Sequence, residues 1–217
     1  MADQAKAYPA NSGLAEEIFL LQPDLVVAGR YTRPATTEML QRLGIPVVAF
    51  DPASSLEDVR ERLLQMGAAL GQEGRAANLV AAFDTALAAL QEEVTIRPRA
   101  ALYYANGYTS GDQTLAGQIL LTAGFENVAT EAGFPYGGVM PLEVLAMMQP
   151  DAVITSNPYP SASRSEDILN HPAVIALRDR TVQGGFSNRD WVCGTPFVLN
   201  AIEETARLRR QVQGGEF

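Results

Sequence analysis

Two stretches of the chain carry the same succession of apolar and polar positions. Glu16-Glu17-Ile18-Phe19-Leu20-Leu21-Gln22-Pro23-Asp24-Leu25-Val26-Val27 is echoed by Glu143-Val144-Leu145-Ala146-Met147-Met148-Gln149-Pro150-Asp151-Ala152-Val153-Ile154, with Pro23 and Pro150 lying 127 residues apart. In each, a helical apolar pattern stops at Gln, because proline disfavours α geometry in the residue before it. A short β-branched run follows, of the kind that fills a buried parallel strand. The pattern predicts helix, tight turn and strand, twice.

Between the copies, residues 55–94 are helical by their spacing: Val59, Leu63, Met66 and Leu70, then Leu79, Val80, Phe83, Leu87 and Leu90. Ser55 and Asp58 stand in capping-box positions, and Gly71 and Gly74 are expected to divide the segment into a shorter and a longer helix. Further strands are predicted at 45–50, 100–104 and 181–183, and further helices at 37–43, 114–123 and 197–211. Strands alternating with helices imply parallel sheets, whose ligands bind at the carboxyl ends of the strands. The fold class is therefore α/β: two Rossmann-like lobes with parallel sheets joined by a long helical spine. The predicted boundaries are 1–54 for the N-terminal lobe, 55–97 for the connecting helices and 98–217 for the C-terminal lobe.

The 217 residues include 16 Lys and Arg against 25 Asp and Glu, a formal charge of −9. That balance argues against a nucleic-acid partner, whose phosphates need a basic surface. One cysteine, Cys193, excludes an intrachain disulfide, and one histidine, His171, excludes a His-rich or thiolate metal site. The first residues have neither the basic start nor the apolar run of a signal peptide, and no stretch approaches the roughly 20 apolar residues of a membrane span.

The loops at the strand ends hold Arg30-Tyr31-Thr32, Asp51-Pro52, residues 105–111, Asn157-Pro158-Tyr159, residues 134–138 and residues 188–191. Together they carry four of the seven tyrosines and the single tryptophan. Rings interleaved with a few polar groups suit a large, partly apolar planar ligand. No Gly-x-Ser-x-Gly elbow, P-loop or dinucleotide fingerprint is present. Asn106-Gly107-Tyr108-Thr109-Ser110-Gly111 is Gly-rich before a helix and offers weak grounds for an anion cradle of backbone N–H groups. His171 reads as a turn residue before a helix, and Cys193 as a buried structural thiol.

The ordered set of Ala15-Glu16-Glu17-Ile18 leading to Gln22-Pro23-Asp24-Leu25-Val26-Val27-Ala28, then Leu43-Gly44-Ile45-Pro46-Val47-Val48, then Tyr108-Thr109-Ser110-Gly111 leading to Ala123-Gly124-Phe125-Glu126-Asn127-Val128, and finally Asp190-Trp191, resembles the periplasmic binding proteins of ABC importers for cobalamin and iron chelates. The resemblance covers about residues 8–210. It implies a periplasmic, monomeric, non-enzymatic protein with no resident cofactor, which binds an iron-siderophore, haem or cobalamin between its lobes and delivers it to an ABC permease. Arg30, Tyr31, Asn106, Tyr108, Tyr136 and Trp191 are the expected ligand contacts. In the cobalamin-binding member a glutamate on each lobe, seven residues before the proline of this same unit, meets arginines of the transporter. The matching residues are Glu16 and Glu143. Members begin with a signal peptide and a first strand-helix-strand segment, neither of which precedes Tyr8-Pro9, so the resemblance implies an incomplete N-terminal lobe. The alternatives are a small α/β enzyme using Asp112, Asp190 or Asp51 as acid or base, and a truncated fragment that binds nothing.

Overall fold

The computed structural model describes residues 6–156, 164–178, 181–186 and 188–215. Two compact units divide the chain, Met1–Pro52 and Ala53–Phe217.

The first unit runs α1 (Ala15–Leu20), β1 (Val26–Gly29), α2 (Pro34–Arg42) and β2 (Val47–Phe50). Pro34 opens α2 at a position where a missing N–H costs nothing, and Gly44, at φ 81°, supplies the left-handed turn after it. β1 and β2 pair in parallel, Val26 opposite Val47 through Gly29 opposite Phe50. The core of this unit is small: Leu40 is fully buried, Ala15 and Ala28 nearly so. The buried Thr36 hydroxyl donates to the Gly13 carbonyl at 2.9 Å. Leu14, Phe19, Leu20, Leu21, Val27, Met39 and Leu43 are exposed.

The second unit opens with α3 (Leu56–Ala69) and α4 (Glu73–Leu90). The predicted capping box is formed: the Ser55 hydroxyl accepts from the Asp58 amide at 3.0 Å, and the Asp58 carboxylate accepts from the Ser55 amide at 3.0 Å. The break between the helices falls at Leu70 to Gln72, where Gly71 has φ 61°. Gly74 lies inside α4 instead, since a lone glycine weakens a helix without ending it.

There follow β3 (Arg99–Leu102), β4 (Tyr108–Thr109), α5 (Leu115–Thr122), β5 (Glu126–Asn127), α6 (Val128–Glu131), β6 (Gly138–Val139), α7 (Leu142–Met148) and β7 (Ala152–Ser156). A 3₁₀ segment (Arg164–Asn170), α8 (Pro172–Arg178), β8 (Val182–Phe186), α9 (Asn188–Trp191) and α10 (Val198–Gly214) complete it. The main sheet has the order β5-β3-β7-β8 and is parallel throughout. Successive residues of a strand point to opposite faces, and both faces are covered. Ala100, Leu102, Tyr104, Ala152 and Ile154 join one apolar cluster with Leu56, Phe83, Ile119, Phe125 and Ile202. Ala101, Tyr103 and Val153 join another with Val128, Met140, Leu145 and Val174. Burial on both sides explains why these strands read as unbroken apolar runs.

The internal repeat has the same form in both units. β1 pairs in parallel with the next long strand, β2, and β7 with β8. In each copy the glutamine before proline takes a left-handed conformation, φ 49° at Gln22 and 47° at Gln149. The helix is thus ended by a reversal of handedness at that residue, not by the extended geometry that the proline alone predicts. β7 also pairs with β3 on its other side; among the described residues β1 has only β2.

Three details depart from the sequence reading. The strand expected at 100–104 leaves the sheet after Leu102, because Tyr104 donates its amide to Tyr108 instead. The strand expected at 181–183 extends to Phe186. The antiparallel pair β4–β6 carries no period-2 signal, being two residues long on each side.

Candidate functional site

In the first unit, Arg30 and Asp51 follow the carboxyl ends of β1 and β2, and the parallel register sets them side by side. The Arg30 amide donates to the Phe50 carbonyl at 2.9 Å, and its guanidinium donates to Asp51 at 2.8 Å. The hydrogen bond and charge of Asp51 push the guanidinium further from deprotonation than usual. Tyr31, next in sequence, is 84% exposed. This strand edge therefore presents a cation, held by one exposed carboxylate, beside a fully presented aromatic ring.

In the second unit, the chain leaving β3 turns sharply. Asn106 adopts φ 57° and Gly107 φ 71°, a left-handed pair that reverses direction in three residues. A side chain at Gly107 would lie 3.0 Å from the Tyr103 hydroxyl. The turn places β4 beside β6, Tyr108 opposite Val139 and Thr109 opposite Gly138. Gly137, at φ 85°, leaves space for the Tyr108 hydroxyl, which would be 3.2 Å from an added Cβ. Asn106, Tyr108 and Tyr136 are all exposed on this one element. Three of the six predicted ligand residues are therefore brought together around an antiparallel strand pair that the sequence did not reveal.

Trp191 is reached through Tyr104, whose amide donates to the Tyr108 carbonyl at 2.8 Å. Its ring stacks on Tyr104, with centroids 5.0 Å apart and planes 23° from parallel, and it is half-buried against the first apolar cluster. Tyr104, read from sequence only as the end of a strand, is the partner that was missed. Alternation along β3 could have found it, because a Tyr-Tyr pair must send one ring to each face. Its hydroxyl is buried without a hydrogen bond of good geometry. Burial pushes its pKa well up, and Ser110, close enough to favour the phenolate, offsets this only in part. Tyr103 is also raised, by burial and by the nearby charge of Glu143.

Within the Gly-rich stretch the Gly107 amide donates to the Tyr104 carbonyl at 3.1 Å and the Tyr108 amide to the Ala105 carbonyl, so these two are already engaged and do not cradle an anion. The glycines here serve packing: a Cβ on Gly111 would lie 2.0 Å from the Phe134 carbonyl, and one on Gly117 would lie 2.0 Å from the Gly111 carbonyl.

Asp51 is tied to Arg30 in the first unit, Asp190 is buried, and Asp112 has one buried carboxylate oxygen without a hydrogen bond. Among the described residues, the carboxylates held below their usual range are Glu17 and Asp58. Glu17 accepts from the side chain and backbone of Ser12; Asp58 is raised by burial, but bonds from Ser54 and Ser55 outweigh this. Both are local caps. His171 accepts from the Ala173 amide at 3.2 Å and starts α8, in keeping with a turn residue. Cys193 is exposed, not buried, and lies in the turn that follows α9. Among the described residues no cluster of three His, Cys, Asp or Glu could hold a metal ion. No helix of the described residues is long and apolar enough to cross a membrane. Asn157, Pro158 and Tyr159 lie outside the described residues.

Glu16 and Glu143 are exposed, one on α1 and one on α7, at equivalent places of the repeat. They belong to different units.

Comparison with known proteins places this geometry. A cobalamin-binding protein of Halobacterium salinarum is 32% identical over 148 residues, covering 64% of this chain and 39% of its own length. The chain thus spans about two-fifths of that relative. The haem-binding protein RhuT from Roseiflexus superimposes with a TM-score of 0.78 at 21% identity, over 92% of this chain and 80% of that one. An Fe³⁺-hydroxamate transport protein from Saccharomonospora viridis superimposes with a TM-score of 0.67 at 26% identity, over 89% and 71%. These relatives are named for binding and transport, not for catalysis. The family profile described as periplasmic binding protein matches residues 5–182, more than half of the chain, and this chain belongs to that family.

Proposed function

We propose that the chain is the solute-binding component of an ABC importer, working outside the cytoplasm, and that it holds a metal chelate such as an iron-siderophore, haem or cobalamin. The observation that carries this reading is the presentation of exposed rings and polar groups: Arg30 and Tyr31 after the carboxyl end of the parallel strand β1 in one unit, and Asn106, Tyr108 and Tyr136 around the antiparallel pair β4–β6, which follows the carboxyl end of β3, in the other. Such groups offer planar contact area and hydrogen bonds to a large ligand. Arg30 pairs with a carboxylate already, so a carboxylate or phosphate on the ligand can replace Asp51 at little electrostatic cost. The metal arrives inside its chelate, as cargo.

Trp191 is the single indole, so its emission has one origin. Titrating haem, a ferric hydroxamate and cobalamin into the protein is expected to quench it with one of the three, and Arg30→Ala is expected to weaken that binding about tenfold. Tight binding of free Zn²⁺ or Mn²⁺ with no response to any chelate overturns the reading. Glu16 and Glu143 are proposed to dock on the permease. Charge reversal at either is expected to reduce uptake while leaving chelate affinity unchanged, because rim charges govern encounter more than cleft occupancy.

A further inference from the structure

The repeat duplicates more than a carboxylate. Four residues after Glu16 stands Leu20, 79% exposed, and four residues after Glu143 stands Met147, 81% exposed. Residues four apart share a helical face, one above the other, so each helix shows an acidic group and a large apolar group together. The inward positions are also equivalent: Leu145 is fully buried and Ile18 partly so. Two residues beyond Leu20 and Met147 come Gln22 and Gln149, each left-handed. A non-glycine residue held at positive φ costs energy and persists only where its surroundings enforce it. A left-handed glutamine therefore follows the helix in both copies, as the cap in the second and one residue after it in the first. In the first copy, moreover, Glu17 is occupied by Ser12 at 2.7 Å, which leaves Glu16 as the carboxylate available on that face.

We infer that Leu20 and Met147 are the apolar half of a duplicated docking element, and that its occupant is a protein presenting two copies of one surface, each with a cationic side chain beside an apolar pocket. This rests on the permease reading above and deepens it. The acidic chain, at −9, complements such a cationic surface. An exposed ion pair contributes little to affinity, whereas removing a large apolar side chain from water contributes substantially. The glutamates accordingly steer and orient, and Leu20 and Met147 hold.

The test measures binding of the full chain to the ABC permease encoded with it, reconstituted in nanodiscs, at 150 and 500 mM NaCl. Leu20→Ser and Met147→Ser are each expected to weaken binding about tenfold at both salt concentrations, and the double variant about a hundredfold, since independent contacts add. Glu16→Lys and Glu143→Lys are expected to weaken it at 150 mM and much less at 500 mM. Thermal unfolding of the serine variants should match the parent, because both side chains are exposed. If the serine variants bind within twofold of the parent while the lysine variants fail, the apolar half is wrong and the docking reading stands. A loss at only one of Leu20 and Met147 overturns the duplicated partner. A parent that does not bind the permease at all overturns the docking reading and this inference together.

Discussion

Asp58 closes the start of α3 with bonds from the Ser54 hydroxyl and amide and from the Ser55 amide. Those bonds favour the carboxylate over the acid, so its folded pKa lies below the unfolded value. The stability it contributes is fully present above the unfolded pKa and is lost as pH falls through the folded one. Asp58→Ala is expected to cost about 1 kcal/mol at pH 7, a gap that closes in urea denaturation curves as the pH drops below about 4. Tyr104 has the opposite sense. Its buried phenol ionises less readily in the folded chain than in the unfolded one, so the protein loses stability as pH rises above about 10. Tyr104→Phe removes a buried hydroxyl that lacks a good hydrogen bond. It should leave stability at pH 7 within about 0.5 kcal/mol of the parent, and the variant should lose less between pH 10 and 11. An equal alkaline loss would mean that Tyr104 titrates freely.

Among the elements, α5 depends on a backbone contact invisible to any propensity scale. Gly117 stands in its first turn, where alanine would ordinarily strengthen a helix by up to about 1 kcal/mol. Here its missing Cβ makes room for the Gly111 carbonyl. Gly117→Ala should therefore destabilise by about 3 kcal/mol, and a stabilising result in thermal denaturation would refute the contact. The C-terminal helix α10 is held in a comparable way. The buried Arg209 donates to the Ala123 carbonyl at 2.9 Å, to Gln213 at 2.8 Å and to Glu92. One side chain thus links the end of α5, the segment after α4 and α10 itself. Because the guanidinium is 5% exposed, its removal leaves acceptors without partners and costs more than a surface ion pair.

For the whole molecule, the two units differ in how much apolar surface they bury. The second covers both faces of a four-stranded sheet. The first has a two-stranded sheet with Val27 half exposed and Phe19, Leu20 and Leu21 on its surface. Two strands alone are marginal in water, and protection from exchange follows local burial. Amides of β1 and β2 are expected to exchange hydrogen at least about tenfold faster than those of β3 and β7 in native-state mass spectrometry. Equal protection would show that the first unit draws support from outside its own core.

What was legible from sequence follows from local physics. The helix-Pro-strand repeat, the capping box at Ser55, the split of the connecting helices near Gly71 and the parallel character of the apolar runs each depend on neighbours within a few residues, where sterics and hydrophobic period act directly. The repeat also displays Glu16 and Glu143 at equivalent exposed places, while the docking role proposed for them rests on the family resemblance and not on the pattern. The pairing of Tyr104 with Trp191, the gathering of Asn106, Tyr108 and Tyr136 on β4–β6, the capture of Arg30 by Asp51 and the exposure of Cys193 were decided by tertiary structure. Each joins residues that the chain separates, or turns a side chain according to what lies across the sheet. No periodicity records a ring that packs against a helix some 87 residues further on. Register between parallel strands decides which loop residues meet, and register is set by the whole core and not by either strand alone.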